Sequence, residues 1–376
     1  MTELLDQTES DDLVKVTDHV YMATRSGSIN WFLVSETRKA LAIDFGYRQP
    51  SLSANYPKRH SRRADLHSIE ALKSRFGIDG IDVALISHFH DDHVCGVPLL
   101  QRLFDTQCWA AANFADLLAD PAAHCFPCTW PEPLRVHRRI GLDEVVDWEG
   151  FRFHFAPMSG HTRFAALIGF EADGKRYAHT GDQYFFQKGV DGWSDNVITQ
   201  NHVYRNGALL DGYDQSGQWL LDWRPDVIIS GHQPPMHTDD DFFHLIEAYT
   251  EQYRGMHRRA MVLEEEETHF DLDSWGGWIW PYRTVKPGPE PVNLTVTVRN
   301  PYPRGATLEV KLEGPEGWSG TGATLSAGPR EEVSCQLQIT PAGACRRQPV
   351  AVDLVADGRP FGQVAEALVT VGGDRF

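Results

Sequence analysis

The sequence predicts an α+β domain followed by a smaller all-β domain, and two patterns carry this prediction. Up to about residue 270, short apolar runs of strand length alternate with segments whose apolar residues recur at helical spacing. From Val292 onward, apolar residues alternate with polar ones, which is typical of strands buried on one face. Short strands of this kind, separated by Gly and Pro turns, indicate a β-sandwich.

The domain boundaries and elements follow from the same patterns. We expect an acidic tail over residues 1–12, a main domain over 13–270, an aromatic and proline-rich linker over 271–291, and the β-sandwich over 292–376. Apolar runs predict strands at 13–21, 30–35, 39–46 and 83–86. Helical spacing predicts helices at 65–76, 94–104, 214–223 and 239–264, the last capped by Thr238.

Composition argues against several kinds of partner. The chain has 35 Lys and Arg residues against 52 Asp and Glu residues, a formal net charge of −17, so its average surface repels nucleic acid. No apolar run reaches membrane-spanning length, and the N-terminus lacks a signal-peptide pattern, so we expect no membrane contact and a cytoplasmic location. The six cysteines show no disulfide spacing, and Cys125-x-x-Cys128 lacks the second pair of a zinc knuckle.

The most informative stretch is His88-x-His90-x-Asp92-His93, which directly follows the apolar strand at 83–86. Side chains at i and i+2 of an extended chain point the same way, so His88 and His90 can hold one cation together. Asp92 and His93 come one step later and can turn to a second cation. Because imidazoles and carboxylates are the usual ligands of zinc and similar metals, this stretch predicts a metal site.

Three further polar positions, His161, Asp182 and His232, each follow a strand-like run, and each is preceded by glycine. Together with the first motif, and in this order, they resemble the signature of the metallo-β-lactamase superfamily over roughly residues 13–240. The resemblance implies a four-layer αββα fold. It also implies seven ligands to two divalent metal ions. The first ion would be held by His88, His90 and His161, and the second by Asp92, His93 and His232, with Asp182 bridging the two.

The resemblance further implies a metal-dependent hydrolase. A hydroxide bridged by the two ions would cleave an ester, lactone, thioester or similar bond of a small molecule, with Asp92 and Asp182 as the catalytic carboxylates. Zinc is the first expectation for the metal, and manganese and iron stay open because His and Asp ligands accept all three. An aspartate rather than a cysteine at position 182 resembles the glyoxalase II and lactonase branches.

Several residues around the motifs have roles that the sequence leaves open. In the superfamily, Asp44 resembles a carboxylate that supports the metal loop, and a turn residue is the alternative. Asp91 is expected either behind the ligands or at the surface, and His179 is expected to be structural. Phe126 and Trp130 either line the pocket or belong to the core.

The segment at 184–212 is longer than one strand and one helix require, and it directly follows the bridging position. A connection in this place is well suited to cover the metal pocket. We therefore take His202, Tyr204 and Arg205 as candidate substrate contacts, with an ordinary surface loop as the alternative.

Three other functions stay open at this point. A small-molecule phosphodiesterase uses the same metals, and a mononuclear iron dioxygenase of the persulfide-oxidising type needs only two histidines and one carboxylate. The third is a scaffold with a structural metal. The C-terminal region loosely resembles immunoglobulin-like modules of bacterial sugar-processing enzymes. It could serve as a spacer, in a homo-oligomer, or in contact with a glycan or protein.

Overall fold

The computed structural model describes residues 13–24, 28–46, 61–188, 196–200, 210–260 and 276–372. These residues form two compact units. Unit 1 comprises the described residues up to Pro121 and from Phe126 to Gly255, and unit 2 comprises Ala122–Cys125 and the described residues from Met256 onward. The tail expected at 1–12 lies outside the described residues, and the boundaries expected at 270 and 292 stay predictions.

The first sheet of unit 1 has seven strands in sequence order. They are β1 (Val14–Lys15), β2 (Val20–Ala23), β3 (Asn30–Val34), β4 (Ala40–Ile43), β5 (Val83–Ile86), β6 (Gln107–Ala111) and β7 (Val136–Ile140). Neighbours are antiparallel from β1 to β4 and parallel from β4 to β7. Every residue of β2 to β5 is buried, as expected for apolar strands covered on both faces.

The second sheet of unit 1 has six strands in the order β15-β14-β11-β10-β9-β8. The later strands of this unit are β8 (Val145–Trp148), β9 (Phe151–Pro157), β10 (Ala166–Ala172), β11 (Lys175–His179), β12 (Tyr184–Lys188), β13 (Asn196–Gln200), β14 (Val227–Ile229) and β15 (Met236–His237). Within this sheet β11 and β14 are parallel, and the other pairs are antiparallel. Trp31 is fully buried and its Nε1 donates to the Ser230 carbonyl over 2.8 Å, which ties the two sheets together.

Helices cover the outer face of each sheet. They are α1 (Ser61–Phe76), α2 (Asp91–Val94), α3 (Val97–Phe104), α4 (Ala115–Ala119), α5 (Leu210–Trp223) and α6 (Asp240–Ala260), and a 3₁₀ turn spans Pro121–Ala123. Helices α3 and α4 contact β6 and β7, whereas α5 contacts β9. Helix α6 packs on α5, where a Cβ at Gly217 would lie 2.7 Å from Thr250 Oγ1. The predicted α+β class and αββα layering are confirmed.

Two helices replace the single helix predicted over 94–104. Helix α2 begins at Asp91, inside the polar motif, and α3 begins at Val97 with Pro98 in its first turn. Pro98 has no N–H, so it can begin a helix but cannot continue the hydrogen bonding of α2. Asp92 and His93 therefore lie on a helical turn and not on an extended loop.

Helix α6 is capped by Asp239 and not by Thr238. The Asp239 carboxylate accepts a hydrogen bond from Phe242 N over 2.9 Å, whereas Thr238 Oγ1 donates to the Pro225 carbonyl over 2.5 Å. The predicted end of this helix at residue 264 lies outside the described residues.

The segment predicted as a long connection over 184–212 contains regular structure. Strands β12 and β13 form an antiparallel pair of their own, and α5 begins at Leu210, earlier than the predicted Asp214. The connection is therefore shorter than the sequence suggested, because part of it is a β-hairpin. Residues 189–195 and 201–209 lie outside the described ranges.

Unit 2 contains two packed sheets, which confirms the all-β prediction. The described strands are β16 (Gly277–Trp280), β17 (Arg283–Lys286), β18 (Val292–Arg299), β19 (Ala306–Glu313), β20 (Ser319–Gly320), β21 (Gly322–Ala327), β22 (Glu332–Thr340), β23 (Cys345–Ala356) and β24 (Arg359–Val371). The sheet orders are β16-β18-β22-β20 and β17-β24-β23-β19-β21. Leu294 and Leu337 of the first sheet share one core with Val310 and Leu354 of the second.

Residues 277–286, within the predicted linker, are strands of unit 2. Strand β16 pairs with β18, and β17 pairs with β24. Ile279 is buried in the core while Trp278 and Trp280 are more exposed, so the run alternates as a strand does. The sequence does not show this alternation, because the more exposed positions are also occupied by tryptophan.

Among the helices that the structure describes, none is long and apolar enough to cross a membrane. All six cysteines are free, and Cys335 and Cys345 lie on different sheets.

Candidate metal centre

The carboxyl ends of two parallel strand pairs carry most of the predicted ligands. Strands β4 and β5 end before Asp44 and His88, and strands β11 and β14 end before Asp182 and His232. In a parallel pair both carboxyl ends lie at the same edge of the sheet, so each pair brings its polar residues together. His161 lies in the turn between β9 and β10.

Backbone hydrogen bonds join these edges. Ala166 N donates to the Ser87 carbonyl over 2.8 Å, which links the loop after β5 to the start of β10. Gly231 N donates to the Gly181 carbonyl over 3.0 Å, which links the loops after β11 and β14. The ligand-bearing loops of both sheets are therefore held in one place by main-chain contacts.

The first metal group consists of His88, His90 and His161. His88 Nε2 lies 3.1 Å from His90 Nδ1, and His161 Nε2 lies 3.1 Å from the same His90 atom. A tetrahedral zinc ion, with Zn–N bonds of about 2.0–2.1 Å, spaces its ligands about 3.3 Å apart. The three ring nitrogens are thus arranged as one ion requires.

Ser87 sets the orientation of His88. Ser87 N and Oγ both donate to the Asp44 carboxylate, over 2.8 and 2.6 Å. Because the hydroxyl proton is used in this way, Ser87 Oγ can only accept from His88 Nδ1, which lies 3.0 Å away. The His88 Nε2 lone pair is then directed into the first metal group.

Burial keeps the first metal group uncharged. Burial, followed by the charges of neighbouring imidazoles, lowers the pKa of His90 to about 3 and lowers the pKa of His88 well below its ordinary value. Neutral imidazole is the form that binds a metal.

The second metal group consists of Asp92, His93 and His232, with Asp182 beside it. His93 Nε2 lies 3.3 Å from Asp182 Oδ1 and 3.6 Å from Asp92 Oδ1. His232 Nε2 lies 3.0 Å from Asp182 Oδ2 and 3.2 Å from Asp92 Oδ2. The two imidazoles and two carboxylates therefore converge on one space.

The imidazoles and carboxylates of the second metal group shift each other's pKa values. Burial alone would lower the pKa of His232, but the charge of Asp182 and hydrogen bonds to both carboxylates raise it to about 9. Burial would raise the pKa of Asp182, but His93 and His232 hold it well below its usual range. His93 and His232 supply the positive charge that these ionised carboxylates need, and a bound divalent cation would supply it in their place.

Two buried atoms of this group fit a cation more directly. Among the described residues, neither His93 Nε2 nor Asp182 Oδ1 makes an aligned hydrogen bond, although the two atoms lie 3.3 Å apart. A Cβ at Gly231 would lie 2.2 Å from His93 Cε1 and 2.4 Å from Asp182 Oδ1, so glycine preserves the space beside them. Buried polar atoms without partners cost about 1–3 kcal/mol each, and a shared metal ion would satisfy both. The residues therefore fit the metals that the motif predicts.

Asp44 supports both metal groups from behind. Its Oδ2 lies 2.9 Å from His93 Nδ1, and it also accepts from Ser87, the partner of His88. One ligand atom from each of Asp44, His88 and His93 lies within 4.8 Å of the other two. These atoms are close because Asp44 bonds directly to His93 and, through Ser87, to His88, so we do not count them as a third metal group. Asp44 has a φ of 56°, a left-handed conformation that aspartate tolerates better than most residues.

The second metal group opens to solvent and the first does not. The side chains of Asp92 and His232 are 17% and 13% exposed, whereas the three histidines of the first group are buried. A substrate would therefore approach from the side of Asp92 and His232.

Neither Asp91, whose role the sequence left open, nor His179, which was expected to be structural, joins either metal group. Asp91 is buried, its N donates to the Cys128 carbonyl over 2.8 Å, and burial followed by the charge of Asp92 raises its pKa to about 6. His179 is buried, and its Nε2 lies 3.8 Å from Asp44 Oδ2. Asp91 thus supports the loop, and His179 packs beneath it.

Phe126, for which the sequence left a pocket wall or core packing open, belongs to a packed aromatic cluster. Phe126 packs against Phe164 with ring centroids 4.8 Å apart, and against Phe89 at 5.9 Å. The Phe89 ring lies 4.8 Å from His90, so this aromatic cluster borders the first metal group. The predicted substrate contacts His202, Tyr204 and Arg205 lie outside the described residues.

Three supporting residues were missed at the sequence level. Ser28 Oγ donates to Asp92 Oδ2 over 3.2 Å, Ser87 orients His88, and Gln183 contacts the His161 loop. Ser87 and Gln183 each adjoin a predicted ligand, and their burial at the end of a strand is a signal that could have found them.

Comparison with known proteins agrees with this geometry. A sequence profile described as the metallo-beta-lactamase superfamily matches residues 25–232, more than half of the chain. No curated protein matches the chain. The fold and site define a metallohydrolase with a two-metal centre. The chain belongs to the metallo-β-lactamase superfamily.

Solved structures with a similar fold are distant in sequence. A subclass B3 metallo-β-lactamase with an active-site glutamic acid is 16% identical, with 69% of this chain and 96% of that chain covered and a TM-score of 0.49. A β-lactamase from Chitinophaga pinensis is 13% identical, with 66% and 94% covered and a TM-score of 0.46. The subclass B3 enzyme of Bradyrhizobium japonicum is 12% identical, with 66% and 94% covered and a TM-score of 0.47.

Proposed function

We propose that this protein hydrolyses an ester, lactone, thioester or similar bond of a small molecule with two zinc ions. The observation that carries the proposal is the position of Asp182, whose two carboxylate oxygens face His93 and His232. The loop of Asp182 also lies against the first metal group, because a Cβ at Gly181 would lie 3.3 Å from His88 Nδ1. A carboxylate in this place is suited to bridge two cations.

Divalent cations held by these residues would supply a water of lowered pKa and positive charge for the oxygen of the scissile bond. The protein residues supply position and charge. The buried first metal group is fixed by Ser87 and Asp44, so it is rigid before substrate arrives. The more exposed second metal group leaves space at Asp92 and His232 for the reacting bond.

Asp92 is the candidate for handling the proton of the attacking water. Burial would raise its pKa, but the charge of His93 and the hydrogen bond of His232 hold it below its usual range, so it is a carboxylate at neutral pH. Ser28 donates to its Oδ2 over 3.2 Å, which restrains the side chain. Asp92 is therefore suited to accept a hydrogen bond from water and is a weak acid for the leaving group.

The charge of the chain supports a small substrate. With a net charge of −17, nucleic acid is disfavoured, but a small phosphodiester is not. The ligand atoms are all nitrogen or carboxylate oxygen, a set that suits zinc and also manganese or iron. Zinc is proposed because histidine nitrogens supply five of the seven ligands.

A substrate panel tests the proposal. Zinc-loaded protein is assayed against an aryl ester, a lactone, a thioester and a small phosphodiester, with oxygen uptake recorded in parallel. We expect turnover of at least one carbonyl substrate and a loss of at least about 100-fold in Asp182→Asn. Asp226→Asn is the matched control. The Asp226 carboxylate accepts a hydrogen bond of 2.7 Å from Arg176 N, and it does not belong to either metal group. Turnover of the phosphodiester alone, or oxygen uptake with iron, would overturn the proposal.

A further inference from the structure

A buried glutamine connects three parts of unit 1. Gln183 directly follows Asp182 and is fully buried. Its Oε1 accepts hydrogen bonds from Gly160 N over 2.8 Å and His161 N over 3.3 Å, and its Nε2 donates to Ser216 Oγ over 2.6 Å. One side chain thus links the loop of Asp182, the loop of His161 and helix α5.

The hydrogen-bond pattern fixes the glutamine amide in one orientation. If the amide were reversed, its NH₂ group would face two backbone N–H donors. On the other side, Ser216 Oγ donates to the Gly212 carbonyl over 2.7 Å, so it accepts from Gln183. It also lies 2.9 Å from the Tyr184 hydroxyl. The network is satisfied and buried, which is the condition under which such a network is rigid.

Helix α5 also packs closely against the same loop. A Cβ at Gly160 would lie 2.4 Å from the Tyr213 ring, and a Cβ at Gly212 would lie 2.4 Å from the Ser159 carbonyl carbon. Glycine is therefore needed at both positions for the close approach. The backbone of His161 is held between Gln183 and the first turn of α5.

The position of this backbone determines the first metal group. His161 Nε2 lies 3.1 Å from His90 Nδ1, and a metal tolerates only small errors in such a spacing. We infer that Gln183 is a positioning residue, which sets the place of His161 against the Asp182 loop and helix α5 and thereby the metal affinity of the first metal group. This inference rests on the proposed two-metal function.

Metal affinity of the apo-protein tests the inference without an activity assay. Zinc is titrated against a chelating indicator, so that two binding steps are resolved. We expect Gln183→Leu, which keeps the volume but removes both hydrogen-bonding groups, to weaken one step by about 10–100-fold and leave the other within about threefold. Gln183→Glu keeps acceptor oxygens for Gly160 N and His161 N, so it should recover most of the affinity.

A control separates positioning from general stability. Thr106→Val also removes a buried hydrogen bond of unit 1, because Thr106 Oγ1 donates to the Ile81 carbonyl over 2.6 Å. It should lower the unfolding midpoint without changing either zinc step. If Gln183→Leu does not fold, Ser216→Ala replaces it. That variant removes the hydroxyl that joins Gln183 to α5 and to Tyr184 but keeps the hydrogen bonds from Gly160 N and His161 N, so it should weaken the same zinc step by a smaller factor.

The outcomes distinguish this inference from the proposed function. Wild-type protein that binds two zinc ions, together with a folded Gln183→Leu protein that binds both equally well, overturns the inference alone. Equal weakening of both steps in Gln183→Leu also overturns it, since the effect would not be specific to the first metal group. Wild-type protein that fails to bind two zinc ions overturns the proposed function as well.

Discussion

Asp44 Oδ2 lies 2.9 Å from His93 Nδ1, and both side chains are about 1% exposed. His93 belongs to the second metal group, and the same carboxylate accepts from Ser87, which orients His88 of the first. One carboxylate behind the centre therefore fixes the imidazole tautomers on which both groups depend.

Asp44→Asn tests this role. Asparagine keeps the size and the left-handed φ of Asp44, but its NH₂ group must face at least one of the donors from Ser87 or His93. We expect zinc affinity to fall by about 10–100-fold, measured by chelator competition. Asp82→Asn is the control. The Asp82 carboxylate accepts a hydrogen bond of 3.1 Å from Ala40 N, and it does not belong to either metal group. Equal affinities of Asp44→Asn and wild type would contradict this role.

Gly231→Ala should abolish the second metal site. The added Cβ would lie 2.2 Å from His93 Cε1 and 2.4 Å from Asp182 Oδ1, so both ligands must move. Elemental analysis should then show about one ion fewer per chain. Gly141→Ala is the control, because its Cβ would meet no atom closer than 3.5 Å. Retention of two ions by Gly231→Ala would show that the second group does not use these atoms.

Metal binding should stabilise the protein strongly. The free energy of unfolding should rise by about 4 kcal/mol for each bound ion when free zinc is about 1,000 times the dissociation constant of that site, because the unfolded chain does not hold the ligands in the binding arrangement. Chemical unfolding of chelated and zinc-loaded protein measures this difference. Magnesium, which prefers oxygen ligands, serves as the control and should give little effect. Equal stabilisation by magnesium would count against the histidine-rich sites.

A surface ion pair should give a separate pH dependence of stability. His19 Nδ1 lies 2.5 Å from Asp173 Oδ1, and this hydrogen bond raises the pKa of His19 despite partial burial. Burial would raise the pKa of Asp173, but hydrogen bonds from Thr17 and His19 lower it. The stabilisation from His19 is full below its unfolded pKa of about 6.5 and is lost as pH rises through the raised value. The stabilisation from Asp173 is full above about pH 4 and is lost as pH falls through the lowered value.

Asp173→Asn should therefore lower the free energy of unfolding most between about pH 4 and 6.5. The loss should be about 1 kcal/mol at most, because the pair is near the surface. Urea unfolding at several pH values measures this loss. Asp147→Asn removes an exposed ion pair with Arg152, and the difference in free energy of unfolding between this variant and wild type should stay constant through this pH range. A loss in Asp173→Asn that is independent of pH would contradict the ionic role of His19.

The ligand positions could be predicted from the sequence because they belong to short motifs that end apolar strands. His88, His90 and His93 lie within six residues, and the other positions each follow a buried run. The αββα layering was implied by the family resemblance that these motifs carry. These features depend on local pattern, which the sequence displays directly.

The supporting residues could not be predicted because their partners are distant in sequence. Gln183 contacts Gly160 and Ser216, 23 and 33 residues away, and Ser87 contacts Asp44, 43 residues away. The break between α2 and α3 at Pro98 depends on how the motif turns, and the strands at 277–286 were concealed by their tryptophans. Tertiary contacts override local pattern in each of these cases.

The most direct test of the two-metal centre is the metal content of protein purified without added metal, measured beside Asp182→Ala. We expect two zinc ions per chain in the wild type, and a lower content in the variant together with loss of hydrolysis. A single iron ion per chain with substrate-dependent oxygen uptake would contradict a hydrolase built on two metals.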